Sequence, residues 1–143
     1  MRQLSKKTFK TILDNAPLLC VDIVAEHKGK YLLVKRKNRP FKGTFWLPGG
    51  RVIKNETIVE AVKRKMKEET GLNVKILQPL GYFEYFFKDH ELNLKNGYHP
   101  VSIVYLVELP SLRVNLDSQS SNWKLVKNLP KKFAIKPFNK YGK

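Results

Sequence analysis

LPGGRVIKNETIVEAVKRKMKEETGL, residues 47–72, joins a glycine pair to a charged segment with the periodicity of a helix. An α-helix advances about 100° per residue. Ile58, Val62 and Met66 therefore form one apolar stripe on the predicted helix. Glu69 lies on the same stripe, so the helix directs a carboxylate toward the core of the protein.

A buried carboxylate needs a partner, and the sequence offers two kinds. Burying a lone carboxylate costs several kcal/mol unless it is paired or bound to a metal. Lys65, one helical turn before Glu69, is the obvious salt-bridge partner. The PGGR turn of residues 48–51 favours a metal instead, because a tight glycine turn can direct a backbone carbonyl toward the carboxylate. Oxygen ligands of this kind suit magnesium or manganese. Such a cation could bridge a substrate diphosphate, whose charge Arg51 could also neutralise.

Length and composition predict one domain over residues 1–143, with a formal net charge of +16. A hydrophobic fraction of 42% is enough for a core. The chain has no apolar run long enough to span a membrane and no apolar signal core at its start, so we expect a cytoplasmic protein. The single cysteine, Cys20, fits a reducing compartment and is predicted to be buried. A strongly basic surface attracts polyanions and phosphorylated small molecules alike, so charge alone does not separate RNA from nucleotide.

The order of the predicted elements favours a mixed sheet covered by helices, in the α+β or α/β class. Apolar periodicity and turn residues predict two helices, at residues 5–16 and 56–71. They also predict a β-hairpin, a loop with a short strand, two further strands and a final loop that leads to a last strand or turn. The ranges are 18–27 with 30–37 for the hairpin, 38–52 for the first loop, 74–88 and 101–109 for the strands, and 116–133 for the final loop.

Residues 50–72 resemble the Nudix box, G-x5-E-x7-R-E-U-x-E-E-x-G-U, in which U is aliphatic. Lys65 stands where this family has the first glutamate of the R-E-U-x-E-E run. The other eight of the nine fixed positions match: Gly50, Glu56, Arg64, Met66, Glu68, Glu69, Gly71 and Leu72. Residues 16–52 resemble the GDP-mannose mannosyl hydrolase branch of this family, and so does the preceding helix or arm of residues 1–16.

The resemblance implies an α/β/α sandwich around a mixed sheet, with magnesium, or alternatively manganese, as cofactor. It implies a nucleoside diphosphate sugar as substrate and a homodimer, in which the N-terminal helix contacts the partner subunit. By this resemblance Glu56 and Arg64 form a structural pair. It also assigns metal ligands (the Gly49 carbonyl, Glu69 and Gln119), substrate contacts (Phe9, Asp22, Arg36 and Arg51) and catalytic residues (Arg51, Glu68 and Glu69).

Three positions depart from the branch. Ser120 follows Gln119 where the branch has its catalytic histidine, and Ser102 stands where it has a tyrosine. Lys65 removes a carboxylate and adds a positive charge near the cation, which favours a single-metal site. Four residues remain as candidate general bases: Glu68 on the helix, and His90, Glu91 and His99 in a polar loop.

Three functions are compatible with these residues. The first is a magnesium-dependent hydrolase that attacks the sugar carbon of GDP-mannose or GDP-glucose and releases GDP and the sugar. The second is a diphosphatase that cleaves another nucleoside diphosphate derivative, or a nucleoside triphosphate, at phosphorus. Loss of the histidine and tyrosine favours this second function and Lys65 opposes it. The third is a non-catalytic module that binds nucleotide or RNA through its basic surface, and RNA is not the favoured partner.

Overall fold

The structure is a computed structural model that describes residues 4–138. The first three residues of the predicted arm 1–16 and the last five residues of the predicted domain lie outside that range. None of the helices in the described range is long and apolar enough to cross a membrane. In chain order the elements are α1 Lys6–Asn15, β1 Leu18–His27, β2 Lys30–Arg36, β3 Phe45–Trp46, β4 Gly49–Arg51, α2 Ile58–Thr70, β5 Lys75–Glu84, β6 Pro100–Glu108, β7 Ser120–Val126, a short 3-10 helix Lys131–Phe133 and β8 Lys136–Pro137.

The strands form one mixed sheet with β1 near its centre. The order is β3-β2-β1-β6-β5-β8, with β4 also paired to β1 and β7 to β2. β1 runs parallel to β6 and antiparallel to β2 and β4. The apolar sequence of β1 explains its central place, since strands covered on both faces are continuously hydrophobic. The predicted α+β class with a mixed sheet is confirmed.

Alternate residues of the central strands build two cores, one on each face of the sheet. Val21 and Ile23 of β1 pack with Val62 and Met66 of α2 on the first face. On the second face, Val24, Leu33, Trp46 and Phe83 pack around Phe133 of the 3-10 helix. This arrangement places the sheet between two covering layers and leaves one end of β1 to form part of a cavity.

α2 begins and ends with strong local signals. Thr57 caps its first turn, accepting a hydrogen bond from the Glu60 N–H at 3.1 Å, while Glu60 accepts one from the Thr57 N–H at 2.8 Å. Gly71 ends the helix in a left-handed conformation with φ 76°, which glycine adopts without steric cost. Val62, Met66 and Glu69 are buried along one side. The predicted inward direction of Glu69 is confirmed.

One predicted loop contains a strand. Residues 116–133 were expected to be a loop leading to a last strand or turn, but β7 occupies Ser120–Val126 and pairs with β2. Trp123 and Leu125 alternate toward the core that α2 covers, which explains why this segment is extended. The polar start of the strand, SSN, hides that alternation. The N-terminal helix and the β-hairpin agree with their predicted positions.

Glu56 and Arg64 form the predicted structural pair between the loop after β4 and the middle of α2. Arg64 Nε donates to Glu56 Oε2 at 2.6 Å, and Arg64 Nη2 donates to Oε1 at 2.9 Å. Arg64 Nη2 also donates to the Arg51 carbonyl at 2.9 Å, and the Ile53 N–H donates to Glu56 at 3.1 Å. These bonds fix the end of β4, which carries Arg51, and the loop after it against the helix that carries Glu69.

We expect Glu56→Gln to lower the free energy of unfolding at neutral pH by about 2 kcal/mol, the size of a charged hydrogen bond that is shielded from water. The Arg64 guanidinium holds the pKa of Glu56 below its usual range. The stabilisation is therefore present above the unfolded pKa of about 4.3 and is lost as the pH falls through the lower folded pKa.

Urea unfolding of both proteins over a pH series measures this difference. Glu108→Gln, at an exposed site at the end of β6, is the control. A loss of stability that persists at the acid end of the series contradicts the assignment.

Candidate active site

The eight residues that sequence and resemblance predicted for the site lie around one cavity of about 610 Å³. They come from α1, three strands, α2 and the loop before β7, so the fold brings together positions that are far apart in the chain. They are Phe9, Asp22, Arg36, Gly49, Arg51, Glu68, Glu69 and Gln119. Their individual roles stay predictions.

Glu69 is held at the base of this cavity by the backbone of Gly49. The Gly49 N–H donates to Glu69 Oε2 at 2.8 Å, and the residue is only 6% exposed. Burial raises the pKa of Glu69 to about 8, and the negative charges of Asp117 and Asp22 add to this effect. The charge of Lys65 and the Gly49 N–H oppose it. The fold therefore keeps a carboxylate in surroundings that disfavour its negative charge.

The register of β4 turns the carbonyl of Gly49 away from β1. Gly49 lies opposite Asp22, while the Ile23 N–H donates to the Pro48 carbonyl at 2.9 Å. Gly49 is therefore at a non-hydrogen-bonded position, whose N–H and carbonyl both point away from β1. A Cβ at this position would lie 2.2 Å from the Val21 carbonyl oxygen, so only glycine allows such a close approach.

Lys65 lies beside both glutamates at the end of α2. Its Nζ is 3.2 Å from Glu68 Oε2 and 4.0 Å from Glu69 Oε1. The ammonium group is thus closer to Glu68, and the contact with Glu69 is at the outer limit of a salt bridge. The expected ion pair between Lys65 and Glu69 is present in this weak form, while the direct hydrogen bond to Glu69 comes from Gly49.

Gln119 reaches the cavity from the loop that leads into β7. Its side-chain oxygen accepts a hydrogen bond from Asn38, and its carbonyl accepts one from the Lys37 N–H at 3.1 Å. Asp117, two residues earlier, accepts a hydrogen bond from the Gln119 N–H at 3.0 Å and also lines the cavity. Asp117 is not among the predicted site residues, although the spacing D-x-Q is typical of a turn made by an aspartate side chain.

The oxygen atoms at this end of the cavity fit one hard divalent cation. Within residues 4–138, no three histidine, cysteine, aspartate or glutamate side chains are grouped as metal ligands. A cation at Glu69 would therefore take backbone and amide oxygens as well, and Gly49 and Gln119 supply these two types. Magnesium and manganese accept such mixed oxygen ligands, and a cation would favour the ionised form of Glu69 that burial disfavours.

Asp22 and Arg36 occupy the side of the cavity formed by β1 and β2. Asp22 accepts a hydrogen bond from the Ser102 hydroxyl across the parallel pair β1–β6. Burial raises the pKa of Asp22 to about 7, although Ser102 and the charge of Arg36 oppose the shift. Arg36 Nε donates to the Pro40 carbonyl at 2.8 Å, which fixes its side chain at the cavity wall.

α1 closes another side of the cavity through a contact between Phe9 and Arg51. The guanidinium carbon of Arg51 lies 4.8 Å from the centre of the Phe9 ring, a cation–π contact. Arg51 follows the glycine pair in β4, so the same short strand supplies both a backbone group for Glu69 and a cationic side chain. The structure thus joins two predicted substrate contacts that are 42 positions apart in the sequence.

Three residues of the polar loop are predicted as candidate bases. His90 lines the cavity, whereas Glu91 and His99 do not. Glu91 instead binds Arg39, accepting from its N–H at 2.9 Å. His99 lies 3.4 Å from Glu84 on the surface. Burial lowers the pKa of His90, and its Nδ1 accepts a hydrogen bond from the Leu92 N–H at 3.1 Å.

Aromatic side chains line the end of the cavity beyond Asp22. Phe41 stacks on Trp46 with ring centres 4.8 Å apart, and Trp46 packs edge-on against Tyr85 at 5.8 Å. Phe87 and Tyr98 complete this surface. Trp46 and Tyr85 also belong to the core on the second face of the sheet, so these rings serve both the core and the cavity.

Comparisons with known proteins agree with this architecture. A family model described as NUDIX domain matches residues 17–135. The low-salt glycan biosynthesis protein Agl8 of Haloferax volcanii is 36% identical over 117 residues, which cover 82% of this chain and 75% of that protein. The ADP-ribose pyrophosphatase of Methanocaldococcus jannaschii is 41% identical over 117 residues, covering 80% of this chain and 66% of that protein. A MutT NUDIX hydrolase from Burkholderia pseudomallei has a similar structure, with a TM-score of 0.69 and 28% identity, covering 81% of this chain and 88% of that one.

We expect magnesium to raise the melting temperature of the wild-type protein and to have no effect on Glu69→Gln. Binding to the folded state alone stabilises it by about 2.7 kcal/mol at a hundredfold excess over Kd. When a chelator removes the metal, Glu69→Gln should be at least as stable as the wild type. A neutral amide avoids the burial of a charge and can still accept a hydrogen bond from the Gly49 N–H.

Thermal unfolding with and without magnesium measures both effects. Glu84→Gln, on the surface of β5, should keep the full response to magnesium. An equal response in Glu69→Gln would exclude Glu69 as a ligand.

Proposed function

The chain belongs to the Nudix family, and on that premise we propose that it is a divalent-cation-dependent hydrolase of a nucleoside diphosphate sugar. The favoured substrates are GDP-mannose and GDP-glucose, cleaved at the sugar carbon to give GDP and the free sugar. The observation that carries the proposal is the cavity in which the buried Glu69 and its Gly49 partner lie together with the cationic groups Arg36 and Arg51.

The charges around the cavity are arranged for a substrate that carries a diphosphate. Glu69, Asp117 and Asp22 place three carboxyl groups in one part of the wall, and a cation there would favour their ionised forms. Gly49, Glu69 and Gln119 are the residues that would hold magnesium or manganese, which would neutralise the diphosphate and stabilise its departure. Arg51 lies next to the glycine pair and is suited to a charged hydrogen bond with a phosphate oxygen.

Glu68 is the residue best placed to act as general base. It lines the cavity with its side chain 41% exposed, so an attacking water has access to it. Although partial burial opposes the shift, Lys65 and Arg64 hold the pKa of Glu68 below its usual value, so it is ionised at neutral pH. His90 is less suited, because the Leu92 N–H already donates to its Nδ1 and the neutral ring then carries its proton on Nε2.

A relative supports a second candidate reaction. The archaeal protein with 41% identity is named an ADP-ribose pyrophosphatase, and ADP-ribose, like the favoured substrates, is a nucleoside diphosphate joined to a sugar. Cleavage at phosphorus would release AMP and a sugar phosphate from it. Ser120 and Ser102, which replace the histidine and tyrosine of the sugar-cleaving branch, favour this candidate. The name of the relative Agl8 refers to glycan biosynthesis, which favours a nucleotide sugar.

We expect the pure protein with magnesium to convert GDP-mannose or GDP-glucose into GDP and free sugar. In heavy-oxygen water the label should enter the sugar, because the proposed attack is at carbon. Chromatography with mass spectrometry identifies the products, with ADP-ribose tested in parallel. Label in a phosphate product would establish the second candidate instead. No turnover of any nucleotide, combined with RNA binding that weakens steeply with salt, would establish a non-catalytic module.

We expect Glu68→Gln to lower kcat by about 10²–10⁴-fold, the usual contribution of a general base. His90→Gln should lower kcat by less than about tenfold, because the ring can act only as a hydrogen-bond donor in its neutral form. Steady-state kinetics of the two variants separates the candidates, with His99→Gln as a control outside the cavity. A larger loss of kcat in His90→Gln than in Glu68→Gln would identify His90 of the loop as the general base.

A further inference from the structure

Lys65 is unusual among the lysines of α2 because its side chain lies inside the cavity wall. It is 15% exposed, whereas Lys63 and Lys67 on the same helix are exposed to solvent. Its hydrocarbon part covers Gly50, where a Cβ would lie 2.7 Å from Lys65 Cε and 3.2 Å from Cδ. Because position 50 has no side chain, the lysine can cross it, and this course brings the ammonium group to the end of α2.

That place lies between the two adjacent glutamates. The Nζ atom is 3.2 Å from Glu68 Oε2 and 4.0 Å from Glu69 Oε1. Arg64 Nη1 also contacts Glu68 and lies 3.2 Å from each of its carboxylate oxygens. Both oxygens of Glu68 thus already contact cationic side chains, and a divalent ion shared by Glu68 and Glu69 would have to displace the ammonium group.

We propose that Lys65 is a fixed internal cation that restricts the active site to a single divalent metal ion. The inference rests on the proposed function, in which Glu69 holds one such ion. The ammonium group occupies the space between the carboxylates of Glu68 and Glu69 and supplies one positive charge there without dissociating. A second divalent ion is excluded by this occupation and by repulsion between like charges at short range.

A change of charge at this position should therefore change the number of ions that bind. Lys65→Glu removes the internal cation and adds a carboxylate one helical turn before Glu69. Positions 65, 68 and 69 then present three carboxylates on one helix face, at the i, i+3 and i+4 spacing that allows them to meet. Such a cluster of hard oxygen ligands is suited to a second magnesium or manganese ion.

Titration with manganese alone, followed by electron paramagnetic resonance of the free ion, measures the number of sites. We expect one site in the wild type and two in Lys65→Glu. Lys63→Glu is the matched control, because it makes the same charge change on the exposed side of α2 and should keep one site. Lys65→Gln removes the charge without adding a ligand, and it should bind one ion about tenfold more tightly, as expected for the loss of a nearby unit charge.

The outcomes separate this inference from the proposed function. One site in both the wild type and Lys65→Glu, with unchanged affinity in Lys65→Gln, overturns the role of Lys65 and leaves the metal site intact. Two sites in the wild type also overturn it. No site in the wild type overturns the metal-dependent function, and the inference with it. Circular dichroism of each variant shows that it is folded, and Lys65→Gln serves as the second test if Lys65→Glu is not.

Discussion

The hydrogen bond from the Gly49 N–H to the buried carboxylate of Glu69 is the interaction on which the site depends. It joins the end of α2 to the short strand β4, whose pairing with β1 places Gly49 opposite Asp22. The Glu56–Arg64 pair holds the loop between these two elements. A buried carboxylate is costly without compensation, and the Gly49 N–H supplies part of that compensation here.

The cavity has an uneven distribution of charge in a chain that is strongly basic overall. Asp22 and Asp117 line the cavity together with Glu69. The cationic side chains of Arg36, Arg51 and Lys65 line it as well. A nucleoside diphosphate with one divalent cation matches this distribution, because the cation satisfies the acidic part and the phosphates satisfy the basic part. The aromatic rings beyond Asp22 provide a less polar surface in continuity with it.

Periodicity predicted the parts of the molecule that are fixed by local sequence. The inward side of α2 and the β-hairpin both agree with the structure. β7 was missed because its polar first residues resemble a loop, and its strand conformation depends on pairing with β2. Asp117 was missed for a related reason, since its proximity to Glu69 arises from the tertiary fold and leaves no periodic pattern in the sequence.

The resemblance to a known motif predicted which residues surround the cavity, but local sequence did not indicate which loop residues reach it. Glu91 and His99 have suitable chemistry and point to other partners, whereas His90 faces the cavity. Loop conformation is set by contacts such as those of Arg39 with Asp89 and Glu91, which join segments about 50 positions apart. Such contacts are invisible to spacing rules.

The most direct test of the account is a crystal structure with manganese and GDP, in which anomalous scattering locates the metal. The account predicts one peak at bonding distance, about 2.1 Å, from a carboxylate oxygen of Glu69 and from the Gly49 carbonyl, with the diphosphate beside Arg51. Glu69 neutralised by Lys65 alone, with no metal peak and no nucleotide in the cavity, would contradict it.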